Sequence, residues 1–129
     1  MRKLLAVVNG NKPDCQWLCA LLAQRNYRAI PIHSLRHLGR EVQGGRYPVV
    51  IVDLDTLPVD NRLFRGLKKT NPTMRIIGLS SRPFHPDLEE AFSAHISVCL
   101  AKPVDWDELI YWLRSLGENG RSPQDSSAA

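Results

Sequence analysis

A doubly wound α/β fold, with five parallel strands in order 2-1-3-4-5 between two layers of helix, is what this chain's patterning predicts. Short, wholly apolar runs at Val49-Val50-Ile51-Val52, Ile76-Ile77-Gly78-Leu79 and Val98-Cys99-Leu100-Ala101 are separated by amphipathic stretches, the signature of buried parallel strands joined by helices. Each run is followed at once by a polar residue: Asp53, Ser80 and Lys102. At 129 residues, 43% hydrophobic and 23% charged, the chain suits one globular domain.

Taken in order, Leu4 to Val8 forms the first strand, closed by Asn9-Gly10-Asn11. Pro13 suits the first turn of a helix reaching about Arg25, with Trp17, Leu18, Leu21 and Leu22 on its inner face. Ala29 to Ile32 is a short second strand; Ser34 then caps a helix carrying Leu35, Leu38 and Val42, which Gly44-Gly45 ends. After the third strand, the loop Leu54 to Asn61 leads into a third helix that stops before Asn71-Pro72, because a residue preceding proline is pushed out of the helical region. The fourth strand runs from Arg75 to Leu79, and a loop through Pro86 precedes a fourth helix with Leu88, Ala91 and Phe92 as its apolar stripe. Ile96 to Ala101 is the fifth strand. The last helix, from Asp105 to Leu116, buries Trp106, Leu109, Ile110, Leu113 and Leu116 at helical spacing. Right-handed crossovers put helices on both faces of such a sheet, two on one and three on the other. The domain is therefore expected over residues 1 to 117, and residues 118 to 129, rich in Gly, Ser, Pro and Ala, form a disordered tail.

Composition excludes several classes. No apolar stretch approaches the ~20 residues that span a bilayer, and the N-terminus lacks a signal-peptide pattern, so a cytoplasmic protein is expected. Cys15, Cys19 and Cys99 are odd in number and read as small, reduced, mostly buried residues. The net charge of +4 is concentrated in residues 1 to 50, with eight Lys or Arg against two acids. Without a basic run or interleaved aromatics, that asymmetry is a weak nucleic-acid signal.

Parallel sheets deliver the C-terminal ends of their strands to one edge, which is where ligands bind in this architecture. Asp53, Ser80 and Lys102 should therefore meet. A carboxylate, a hydroxyl and an ammonium can together hold a phosphoryl group: the first accepts it covalently, the second hydrogen-bonds one oxygen, and the third neutralises charge.

On these residues the chain resembles the receiver domain of two-component response regulators, a flavodoxin-like three-layer sandwich. The resemblance covers about residues 3 to 117: five βα units, Asp53 ending the third strand, Pro58 and Asp60-Asn61 in the next loop, Ser80 ending the fourth and Lys102-Pro103 after the fifth. It implies Asp53 as phosphoacceptor, Ser80 as switch hydroxyl, Lys102 as phosphoryl-binding ammonium, and a histidine kinase or phosphotransfer protein as partner. It also raises the expectation of a cis Lys102-Pro103 bond. A domain of this kind is a signalling module whose chemistry is limited to self-catalysed phosphotransfer and autodephosphorylation.

Three departures qualify the resemblance. The family usually carries two adjacent acids after the first strand to hold Mg²⁺, and this chain has Asn9-Gly10. A neutral amide and a glycine remove most of the anionic attraction for a hard cation, so Mg²⁺ binding should be weak or absent and should return with acids at 9 and 10. Asp55 from the loop, together with Asp53, or Asp14 from the first helix, could lend a replacement carboxylate. Pro58 follows Asp53 by five residues where four is usual, which lengthens the loop by one. Cys99, three residues before Lys102, stands where the family commonly has a Tyr or Phe that swings inward on phosphorylation.

Other polar residues read as surface features. His33 and His37 lie four apart without a third ligand and suit a solvated helix face. His85 and His95 border the fourth helix and are expected at the surface. Tyr111 and Trp112 lie off the last helix's apolar stripe, so the fourth helix, fifth strand and last helix are expected to carry a partner or homodimer contact.

Two alternatives stand beside phosphoacceptor signalling. One is a degenerate receiver that has lost its metal and acts through protein contacts independently of phosphorylation. The other is a haloacid-dehalogenase-type phosphatase, whose motif order resembles Asp53-Leu54-Asp55, Ser80 and Lys102. In that family the Asp pair follows the first strand and the chain carries a cap, whereas here the pair follows the third strand.

Overall fold

The computed structural model describes residues 3–118. From residue 119 onward the expected tail lies outside them. Strands β1 (Lys3–Val8), β2 (Tyr27–Ile32), β3 (Val49–Asp53), β4 (Arg75–Ser80) and β5 (Val98–Ala101) form one sheet in order β2-β1-β3-β4-β5, every pair parallel. The predicted doubly wound, flavodoxin-like topology is therefore the observed one. Strand β2 starts two residues before its expected place, with Tyr27 buried.

Side chains of alternate strand positions enter two separate cores, as the two-residue period of a strand requires. Ala6, Val8, Val50, Val52 and Ile76 face α2 (Leu35–Glu41), α3 (Asn61–Thr70) and the helical segment 86–95. Leu5, Val7, Val49, Ile51 and Ile77 face α1 (Lys12–Gln24) and α4 (Trp106–Leu113). Three helical elements thus lie on one face and two on the other. Among the described residues no helix is long and apolar enough to cross a membrane.

Caps fix where the helices begin. Asn11, Ser34, Asp60 and Asp105 each accept a backbone N–H three residues on, at 3.0, 3.1, 2.8 and 3.1 Å. The turn after α2 ends at Gly45 with φ +69°, a backbone angle that favours glycine.

Two expectations on the helices need correction. Trp17 is 64% exposed, because the inner stripe of α1 is set by Cys15, Leu18 and Leu22 and residue 17 falls one position off it. The fourth helix is not a regular α-helix: a 3₁₀ turn at Pro86–Leu88 leads to a widened turn at Ala91–His95. Its ladder is diverted by neighbours. The Ala91 N–H donates to Asn61 Oδ1 on α3 at 3.0 Å, and the Ile96 N–H reaches five residues back to the Ala91 carbonyl at 2.7 Å. Wider winding also brings Glu90 and His95, five apart, to 2.9 Å, while Arg65 of α3 grips Glu90 through two bonds of 2.9 and 2.6 Å.

Candidate functional site

The C-terminal edge of the sheet collects Asn9, Asp53, Ser80 and Lys102, with the β3–α3 loop folded over them. Four apolar β3 residues before Asp53 bury its backbone and leave the side chain 2% exposed. A carboxylate so placed must find donors. Its Oδ1 accepts from the Asp55 N–H at 2.9 Å, the Thr56 N–H at 3.0 Å and lies 3.2 Å from Thr56 Oγ1; its Oδ2 accepts from Lys102 Nζ at 2.7 Å and Asn9 Nδ2 at 3.4 Å.

Asn9 completes a second layer of this corner. Its Oδ1 accepts from the Asn11 N–H at 2.7 Å and from Thr56 Oγ1 at 3.0 Å, while Thr56 Oγ1 itself accepts the Gly10 N–H at 3.0 Å. Gly10 is required by this packing, since a Cβ there would stand 2.5 Å from the Thr56 carbonyl oxygen. An acid at residue 10 would meet the Thr56 carbonyl at its Cβ, so acids at 9 and 10 require the β3–α3 loop to shift away from residue 10.

This donor set does not suit Mg²⁺, which takes oxygen ligands in octahedral geometry. Asn9 turns its amide N–H₂ toward Asp53, and the Asp53 and Asn9 oxygens are taken up by N–H, O–H and ammonium groups. Among the described residues no cluster of three or more His, Cys, Asp or Glu is arranged to hold a metal ion. Asp14 remains exposed in the first turn of α1.

Asp55, expected as a substitute metal ligand, is placed otherwise. Its Oδ1 accepts Ser80 Oγ at 2.7 Å; its Oδ2 accepts the Ser81 N–H at 2.8 Å and Ser81 Oγ at 3.0 Å, and lies 3.0 Å from Lys102 Nζ. Burial pushes the Asp55 carboxyl up, but the bonds from Ser81, Ser80 and Lys102 outweigh it and hold its pKa well below the usual carboxylate range. Burial likewise depresses the Lys102 ammonium, and its bonds to Asp53 and Asp55 reverse this and raise it. Ser80 is thus aimed at Asp55, and Lys102 bridges both carboxylates. The Lys102-Pro103 peptide is cis, as the resemblance implied.

Two site residues escape a reading of the sequence. Thr56 sits in a loop whose extra residue before Pro58 is its only signal, and Ser81 has the look of an ordinary turn residue. His85, expected at the surface, is buried at 9% exposure: its Nε2 is 3.2 Å from the Arg82 carbonyl, its Nδ1 3.2 Å from Arg82 Nη2, and its ring lies 5.4 Å from that of Phe92. Beside the site a cavity of about 620 Å³ is lined by Ser80, Arg82, Phe84, Phe92, Cys99 and Leu100. The small Cys99 side chain forms part of its wall.

No protein-family model and no curated protein matches the sequence. Solved structures do match. The signal receiver domain of an HD domain-containing protein from Pseudomonas fluorescens Pf-5 superposes with a TM-score of 0.82 at 21% identity, covering 96% of this chain and 93% of that one. A CheY-like response regulator receiver domain protein from Methanospirillum hungatei JF-1 gives 0.82 at 12% identity, with 93% and 97% covered. The chemotaxis protein CheY4 of Vibrio cholerae gives 0.76 at 17%, with 90% and 99% covered. The edge on which Asp53, Ser80 and Lys102 converge thus belongs to a chain with the fold of response-regulator receiver domains.

Proposed function

We propose that this chain is a receiver module of two-component signalling that acts through protein contacts without phosphorylation of Asp53. One observation carries the reading: the oxygens of Asp53 and the donors that would receive a phosphoryl group are already matched to one another within the chain. Phosphoryl transfer to a carboxylate needs a cation to offset charge and an oxygen free to attack. Asn9 and Gly10 supply no anion for that cation, and Asp53 is 2% exposed with donors on both oxygens.

The partners in this reading are a histidine kinase or phosphotransfer protein, or a second copy, meeting the face formed by the segment 86–95, β5 and α4. Tyr111 is 60% exposed there, with Trp112 packed edge-on against it at 5.3 Å. Trp112 also leans on the α1/α4 core, so Tyr111 is the more available aromatic of the two.

A second reading, phosphotransfer to Asp53, is favoured by the 2.7 Å contact between Lys102 and Asp53, which keeps an ammonium where a phosphoryl charge would develop. Incubation with acetyl phosphate and Mg²⁺ followed by intact mass decides between them. The expected result is an unmodified chain; one phosphoryl addition, lost in Asp53→Ala, would replace the first reading with the second.

A further inference from the structure

We infer that Ser80, Ser81 and Lys102 form an oxyanion cradle that the chain fills with its own Asp55, which holds this edge as a bound phosphoryl-class anion would. The inference deepens the phosphorylation-independent reading and rests on it. Four donors from two strand ends converge on one carboxylate: Ser80 Oγ, the Ser81 N–H, Ser81 Oγ and Lys102 Nζ, all within 3.0 Å of an Asp55 oxygen. Hydroxyls, a backbone N–H and an ammonium converging on a point are what stabilise a tetrahedral oxyanion, and a carboxylate offers two of the oxygens that such an anion would offer.

The donors are committed rather than incidental. Ser80 Oγ accepts the Arg82 N–H at 3.0 Å, which leaves its hydrogen for Asp55, and the Lys102 N–H is fixed on the Ser80 carbonyl at 3.0 Å, which sets the two strand ends relative to each other. The ligand is committed as well, because the Asp55 N–H is pinned to Asp53 Oδ1 at 2.9 Å. Arg82 Nε, 4.0 Å from Asp55 Oδ1, adds a second cation at the rim.

A tethered carboxylate competes at an effective concentration of order millimolar or higher, so a free anion of ordinary affinity is excluded while Asp55 is in place. The same contact joins the β3–α3 loop to the start of the 81–85 loop, and through it to the wall of the cavity that Ser80, Arg82 and Phe84 share. Asp55 thereby holds the edge in one state without any covalent change.

The test is a titration with inorganic phosphate, without Mg²⁺ and at constant ionic strength, followed through the backbone amide signals of Ser81 and Arg82. The parent should show no saturable shift. Asp55→Ala should show one, with phosphate bound at least ~10-fold more tightly than by the parent, as removal of a tethered competitor requires. Adding Lys102→Ala to that variant should abolish it. Asp55→Asn, which keeps the side chain's shape without its charge, should gain phosphate binding to a smaller degree and serves if the alanine variant does not fold. A folded Asp55 variant whose Ser81 amide ignores phosphate overturns the cradle, as does a parent that binds phosphate as tightly as its variants. Phosphoryl addition to Asp53 in the acetyl phosphate assay would instead remove the phosphorylation-independent reading, and the phosphate titration would still report on the cradle by itself.

Discussion

The two corners of the sheet's C-terminal edge are built from the same materials and do opposite things. At the β1–β3 corner, Asn9, Gly10 and Thr56 form a neutral amide and hydroxyl network that closes over Asp53. At the β4–β5 corner, Ser80, Ser81 and Lys102 keep a set of anion donors and hold Asp55 in it. Lys102 spans both, 2.7 Å from Asp53 and 3.0 Å from Asp55. The two corners can therefore differ in charge and in what they enclose, because they sit on different strand ends and share a single ammonium.

The largest expected effect comes from that sharing. Lys102→Met removes the one ammonium between two carboxylates, one of them 2% exposed, while keeping much of the side-chain volume. Taking away one partner of a buried pair leaves an uncompensated charge, so a loss on the order of 3 kcal/mol in chemical denaturation at neutral pH is expected. The pH dependence has a definite sign. Because the folded Lys102 pKa is raised, its contribution is fully present below the unfolded value of about 10.4 and is lost as pH rises through the folded one. A Lys102→Met stability within about 0.5 kcal/mol of the parent, the range of an ordinary surface change, would mean that the corners are not coupled.

The neutral corner gives a sterically defined prediction of intermediate size. Gly10→Ala and Gly10→Asp should each cost about 2 kcal/mol, as overpacking does, because the clash with the Thr56 carbonyl begins at Cβ and is the same whatever the rest of the side chain. Thermal unfolding of both variants checks this. If Gly10→Ala matches the parent, the loop yields freely at Thr56, and the contrast between a closed corner and an occupied one fails.

Both corners also show how far the sequence alone is legible. Buried strands are readable because both faces of a parallel sheet are covered, which leaves uninterrupted apolar runs such as Val49 to Val52. Asp53 and Lys102 are readable as polar residues ending such runs. The direction of a loop side chain carries no such periodicity: the position of Pro58 is visible in the sequence, but not that Thr56 packs onto Gly10 or that Asp55 turns toward Ser80. Trp17 and His85 mislead for a related reason. Each lies one step from a burial boundary, where a neighbouring stripe or an Arg82 side chain decides the outcome.

The smallest expected effect tests whether the segment 86–95 is the adaptable neighbour of the occupied corner. It is docked on α3 by polar contacts, the Arg65–Glu90 fork and the Asn61–Ala91 bond, in addition to Leu88, Ala91 and Ile96 in the core. Hydrogen bonds from Arg65 and then His95 lower the Glu90 pKa to about 2. A depressed carboxylate contributes stability that is present above its unfolded pKa of about 4.3 and lost as pH falls toward the folded value, so the docking should loosen across that window. The fork is exposed, so global stability should barely move in Arg65→Ala. Local opening is where the loss should appear: lower protection from hydrogen exchange, relative to the intrinsic rate at each pH, at the Ala91 and Ile96 amides, in the variant at neutral pH and in the parent below about pH 4, with protection in β3 unchanged. Equal loss of protection in β3 would show that the segment opens only with the whole fold, and that the occupied corner has no separately yielding neighbour.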